Sequence, residues 1–141
     1  KGYAMFFNMK KFNNKFFDEN FFLYFEEIDL CKKIKDSKGT ILVNPKIKVE
    51  HDGGGSVRMV SLDELEINRN WHWMWSTFYF HKKHKGFTLA LIIIIPKFIS
   101  ATLKFLLYSV ILNKKKKLIY FSRLSGLTNS IIGKKSWFRP R

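Results

Sequence analysis

The sequence predicts an α/β chain as far as residue 86, followed by a basic, apolar, helical tail over 87–141. Three observations carry this reading. Short continuous apolar runs of strand length, at 3–9, 41–43 and 47–49, alternate with stretches of helical periodicity. From Phe87 to Leu112 the chain turns apolar, interrupted by Pro96, Lys97 and Lys104. The formal charge of +15 is also laid down unevenly: all 11 acids lie between Asp18 and Glu66, the 11 Lys and Arg of residues 1–66 balance them, and 15 basic residues with no acid follow Glu66. A hydrophobic content of 46% with 17% aromatics excludes disorder, and the basic excess calls for an anionic partner.

Taken in order, residues 3–9 read as a buried strand, and Asn13-Asn14 supply turn chemistry. From about Tyr24 to Lys35 the residues Ile28, Leu30, Cys31 and Ile34 recur at helical spacing, with Gly39 as terminator. Ile41-Leu-Val43 and Ile47-Lys-Val49 are strand-like, although Pro45 between them has no amide to donate and marks a break or an edge. His51-Asp-Gly-Gly-Gly-Ser56 is a loop, since three consecutive glycines are costly in any regular element. Ser61-Leu-Asp-Glu64 matches a capping box and starts a helix through Trp71, Trp73 and Trp75 to His84, ending near Gly86. The alternating tryptophans alone would suit a strand, and the capping box decides for helix.

After Pro96, Lys97, Ser100, Ala101, Lys104 and Tyr108 share one helical face, while Phe98, Ile99, Phe105, Leu106 and Leu112 lie away from it. That is the pattern of a helix lying at a membrane surface rather than spanning it, and Lys114-Lys-Lys-Lys117 adds attraction to an anionic leaflet. The alternative is a core helix with solvated lysines. Cys31 is the single cysteine, so no intrachain disulfide is possible. The opening Lys1-Gly2, leading directly into an apolar run, is expected of a domain cut through its middle.

Glu26, Glu27 and Asp29 stand between the aromatic run Phe21-Phe-Leu-Tyr-Phe25 and the helix. Desolvation and adjacent like charge raise a carboxylate's pKa, which suits a general base. The other reading is that they are the acidic first turn of a helix, favoured by its dipole. His51, between a strand and a triple glycine, can bind a divalent metal, contact a diphosphate or be structural. Phosphate-loop, zinc-spacing and nucleophile-elbow motifs are absent. The basic residues alternate with long aliphatic runs, which fits lipid and not nucleic acid.

The order of motifs resembles the C-terminal half of family 2 glycosyltransferases, particularly rhamnosyltransferase-like enzymes of bacterial surface polysaccharide assembly. The residues that carry the resemblance are Gly2-Tyr-Ala-Met5, Phe17-Asp-Glu-Asn-Phe-Phe-Leu-Tyr-Phe-Glu-Glu-Ile-Asp-Leu-Cys31, Pro45, His51-Asp-Gly-Gly-Gly-Ser56 and Lys83-His84. The resemblance implies a GT-A fold, a Rossmann-like α/β sandwich, of which residues 1–86 supply the acceptor side. It implies inverting transfer of a sugar, rhamnose in the members it most resembles, from a nucleotide-diphosphate donor to a lipid-linked or saccharide acceptor. Glu27 matches the catalytic base, with Glu where the family has Asp, and Glu26 competes for the role. Asp29 matches the second acid of the motif, Gly2 and Tyr24 fall on the acceptor side, and His51 matches a ligand of the diphosphate or its Mg or Mn ion. The nucleotide-binding strands and the family's Asp-x-Asp motif would lie before Lys1, so these 141 residues alone are expected to be inactive. The implied location is the cytoplasmic face of the plasma membrane, peripheral or monotopic. The rival expectation is a non-catalytic basic membrane-binding protein.

Overall fold

A computed structural model describes residues 4–8, 10, 16–50 and 62–139. Its described residues form four helices and no strand: α1 Glu26–Asp36, α2 Leu62–Lys85, α3 Phe87–Val110 and α4 Lys114–Ile131. The expected GT-A, Rossmann-like α/β architecture is therefore corrected to an all-helical one. The strand expectation rested on apolar content, and content alone does not supply the partner that a strand's amides and carbonyls require. Leu42 and Val43 are 86% and 88% exposed, and residues 41–43 and 47–49 run without strand pairing. Between them Asn44 folds the chain into a turn, accepting from the Lys46 amide at 3.0 Å on its side chain and from the Ile47 amide at 3.3 Å on its carbonyl. In the first predicted strand, Phe6 is exposed and Phe7 packs its ring against Phe16 and Phe17.

The chain divides into two compact units, Lys1–Glu19 with Glu26–Arg58, and Asn20–Phe25 with Met59–Arg141. In the first, α1 ends two residues before the left-handed Lys38, and the Gly39 and Lys38 amides return to the carbonyls of Ile34 and Lys35 at 2.8 and 2.9 Å. Gly39 serves as the predicted terminator one position beyond the left-handed residue, where a Cβ would press on the Ile34 carbonyl.

The second unit is an up-down-up bundle. Gly86, at φ 83°, reverses the chain from α2 into α3, and Asn113 caps α4 by accepting from the Lys116 amide at 3.0 Å. Met74, Phe78, Ala90, Ile94 and Leu127 form the core, with Leu91 and Ile131 packed against it. Trp71 and Trp75, four residues apart, are both buried on one face of α2, whereas Trp73 between them is 42% exposed. The helical alternative for the tryptophans thus holds. At the crossing of α2 and α4, a Cβ on Gly126 would collide with the Trp71 carbonyl oxygen, so only glycine permits this approach. The Lys115 ammonium ties the starts of α4 and α2 together, 2.7 Å from Asp63 and 3.6 Å from Glu66. Residues 134–139 return along α2: the Trp75 indole donates to the Lys134 carbonyl at 2.9 Å, and Trp71 stacks on Phe138.

Candidate functional site

The aromatic run before α1 belongs to the second unit and is pinned to α2. Ser76 donates to the Leu23 carbonyl at 2.7 Å, Asn20 donates to the Tyr79 hydroxyl at 3.1 Å, and Phe21 meets Tyr79 edge-on. Tyr24 and Phe25 have φ of 68° and 71°, left-handed values that cost a residue with a Cβ about 1–2 kcal/mol each. Ring contacts hold them there: Tyr24 sits edge-on to Trp73 with centroids 5.3 Å apart, and Phe25 packs on Trp73 and Phe80 at 5.4 and 5.2 Å. Strain of this kind persists where the surroundings over-determine it. Tyr24, expected on the acceptor side, is thus a partly exposed ring beside the exposed indole of Trp73, a residue the sequence reading did not single out.

The next two residues are the paired acids. Among the described residues, one carboxylate oxygen of Glu26 and one of Glu27 are buried without a hydrogen-bond partner. Burial pushes the Glu26 carboxyl above the usual carboxylate range, its own backbone amide works against this, and the Glu27 charge adds to the rise. Asp29 differs from both, being fully buried with one oxygen 3.0 Å from the Lys33 ammonium one turn on. The three acids therefore share the first turn and a half of α1 but not one environment. Two have oxygens left over for a ligand, and the third is neutralised within its own helix.

Gly2 and His51 lie outside the described residues, as does Ser61 of the capping box. Among the described residues no group of three His, Cys, Asp or Glu side chains could hold a metal ion. The Mg or Mn ion that the resemblance implies has no donor set there, and no step below passes through one. The sequence reading also missed His72, whose Nε2 lies 2.7 Å from the Phe138 carbonyl and whose Nδ1 lies 2.9 Å from the Ser136 hydroxyl. Only its helical offset from Trp71 and Trp75 could have marked it as buried.

The tail after residue 86 carries a second candidate surface. α3 is long and apolar enough to cross a membrane, and it runs unbroken through Pro96, one of the three residues that interrupt its apolar sequence. Leu89, Ile92, Ile95, Ile99, Leu103, Leu106 and Val110, spaced three or four apart, are each at least 50% exposed. Lys104 points away from this stripe, its ammonium 5.5 Å from the Tyr120 ring of α4.

Neither protein-family models, nor characterised proteins, nor solved structures give a match to this chain.

Proposed function

We propose that the chain is the acceptor-side part of an inverting glycosyltransferase working at an anionic membrane surface. The observation that carries this reading is the pair of carboxylate oxygens, one on Glu26 and one on Glu27, that are buried without a partner among the described residues. Buried polar atoms without partners are rare, and a substrate hydroxyl would satisfy them. A carboxylate with a raised pKa accepts that hydroxyl's proton as the oxygen attacks the anomeric carbon, and the nucleoside diphosphate leaves from the opposite face. Glu27 holds the base position of the motif, while Glu26 has the environment of a base. The donor is a nucleotide-diphosphate sugar, rhamnose by resemblance, and the acceptor is lipid-linked or a growing saccharide. The proposal rests on motif order and site chemistry and requires no sheet among the described residues.

The enzyme works peripherally or monotopically at the cytoplasmic face of the plasma membrane, where lipid-linked acceptors and nucleotide sugars meet. Support comes from the exposed apolar stripe of α3 and from the basic excess that surrounds it.

The test is sugar transfer by the intact enzyme carrying this chain. Glu27→Gln should lower transfer by about 10²–10⁴-fold with donor binding retained. Loss in Glu26→Gln alone moves the base to Glu26, and wild-type turnover by both variants overturns the catalytic reading. A non-catalytic membrane-binding protein is favoured by one specific observation, the Asp29–Lys33 pair within the acidic first turns of α1, which stabilises the helix with no substrate.

A further inference from the structure

We infer that α3 lies flat in one leaflet on its Leu89–Val110 stripe, and that Lys104, Lys116 and Lys117, gathered around the Tyr108–Tyr120 ring pair, bind the phosphate of an anionic lipid headgroup. The inference rests on the membrane reading above and adds an orientation and a headgroup site.

The packing of the bundle argues for the flat orientation. α4 lies along α3 on the side away from the stripe: Leu127 and Ile131 meet the core at Ala90 and Ile94, Phe121 meets Phe105, and Tyr120 stacks on Tyr108. α4 carries Arg123, whose Nε donates to the Asn70 side chain of α2 at 2.6 Å. α2 in turn carries Asp63, Glu66 and Arg69. A vertical α3 would take these neighbours into hydrocarbon, where polar side chains are expensive. Both flanks of α3 are basic, with Lys82, Lys83 and Lys85 before it and Lys114 to Lys117 after it. A span sorts its positive charge to one side, whereas a helix in the plane presents both flanks to the same headgroups. The stripe runs about 31 Å along the helix at 1.5 Å per residue, all of it apolar.

The headgroup site lies where α3 turns into α4. Tyr108 and Tyr120 stack with centroids 5.5 Å apart, and three cations sit over these rings: Lys116 over Tyr108 at 5.0 Å, with Lys104 and Arg123 over Tyr120 at 5.5 and 5.3 Å. Lys117 stands over Phe105 at 5.9 Å. None of the three lysines pairs with a carboxylate among the described residues, in contrast to Lys115 beside them. Lysines at the start of α4 also oppose its dipole, so the cluster is electrostatically uncomfortable until an anion arrives. Tyrosine with lysine at one level is the side-chain chemistry of a membrane interface.

The test uses the whole chain with sealed vesicles of phosphatidylcholine, with or without phosphatidylglycerol, and reads bound protein by flotation. Binding should require phosphatidylglycerol, and Lys104→Gln, Lys116→Gln and Lys117→Gln should each weaken it by roughly fivefold at low salt. Equal binding to both vesicle types overturns the headgroup site while leaving the membrane reading intact. No binding to either vesicle overturns both. Orientation is read in a Cys31→Ser background with Lys85→Cys or Lys114→Cys, exposed positions on the two flanks of α3, and a membrane-impermeant maleimide added outside. Labelling at both positions supports the flat helix, and protection of one end overturns it. Retained helical circular dichroism in each variant separates lost binding from lost folding.

Discussion

Ser136 donates its hydroxyl proton to Nδ1 of His72 across 2.9 Å, and this places the imidazole's own proton on Nε2, where it reaches the Phe138 carbonyl at 2.7 Å. The roles cannot be exchanged, because a carbonyl only accepts. One neutral tautomer of a fully buried ring thus fastens residues 136–138 to α2.

The lock makes the protein acid-sensitive. Burial lowers the His72 pKa from 6.5 to about 4, with the Phe138 carbonyl opposing and the Arg139 charge adding to the fall. Between those values the unfolded chain takes up a proton that the folded protein refuses. The stability His72 contributes is therefore complete above the unfolded value and drains away as pH falls toward about 4. At about 1.4 kcal/mol per unit, the loss is at most about 3.5 kcal/mol. His81, lowered by burial and by the charges of Lys85, Lys97 and His84, acts in the same direction. Melting temperatures across pH 7 to 4 should fall in the wild type and fall less in His72→Gln. Parallel curves would remove His72 from the account.

Gly126 should tolerate no side chain. The Trp71 carbonyl occupies the place of its Cβ, and that carbonyl belongs to a helix backbone which cannot swing aside. Gly126→Ala should destabilise by about 1–3 kcal/mol through overpacking, despite alanine's better helix propensity. Denaturant unfolding of the variant at or above wild-type stability would mean that α2 and α4 are not pressed together there.

Gly86 provides a contrast, since among the described residues nothing lies within 4 Å of its absent Cβ and its φ of 83° is what resists substitution. Gly86→Ala should cost about 1 kcal/mol, and Gly86→Asn less, because asparagine enters the left-handed region more readily. Equal effects of the two substitutions, measured by thermal unfolding, would point to a contact instead of backbone strain.

The elements legible in the sequence were those whose signal is local. The periodicity of Ile28, Leu30, Cys31 and Ile34 found α1, and the capping-box pattern of Ser61-Leu-Asp-Glu64 with Gly86 as terminator found α2 to within a residue or two. The strands at 41–43 and 47–49 were misread because β-branched, apolar composition states a preference for a sheet without stating that a partner exists. Within the helical tail expected over 87–141, α4 was not set apart as an element, since its buried residues Ser122, Gly126 and Ser130 are small and give no apolar rhythm. At the candidate site the acids were found by their neighbours in sequence. What separates them, the Lys33 partner of Asp29 and the unpartnered oxygens of Glu26 and Glu27, depends on burial that no spacing encodes.

Glu26 should trade stability for function. Burial raises its folded pKa above the ordinary carboxylate value, so at neutral pH the ionised form carries a desolvation penalty absent from the unfolded chain. Glu26→Gln removes that penalty, so the variant should melt higher than wild type at pH 7.5. The gap should close as pH falls toward 4.5 and the wild-type carboxyl takes up its proton. A variant that melts lower at pH 7.5 would show that the carboxylate has favourable partners in the folded protein, and the case for an oxygen waiting on a substrate hydroxyl would go with it.

Pro96 has no amide to offer the Ile92 carbonyl, and its ring crowds that carbonyl, yet α3 runs through it from Phe87 to Val110. Proline in a helix interior is about 3 kcal/mol less favourable than alanine. Packing at Ala90, Ile94 and Ala101 on the buried side keeps the helix continuous across the defect. Pro96→Ala should restore the missing hydrogen bond and raise the melting temperature, with helical circular dichroism unchanged or slightly increased. Because Pro96 is itself exposed, the substitution removes little buried surface that could mask the gain. A lower melting temperature would mean that the proline sets a bend on which the contacts of α3 with α4 depend, and the stacking of Tyr108 on Tyr120 would be the first contact to examine, by near-ultraviolet dichroism.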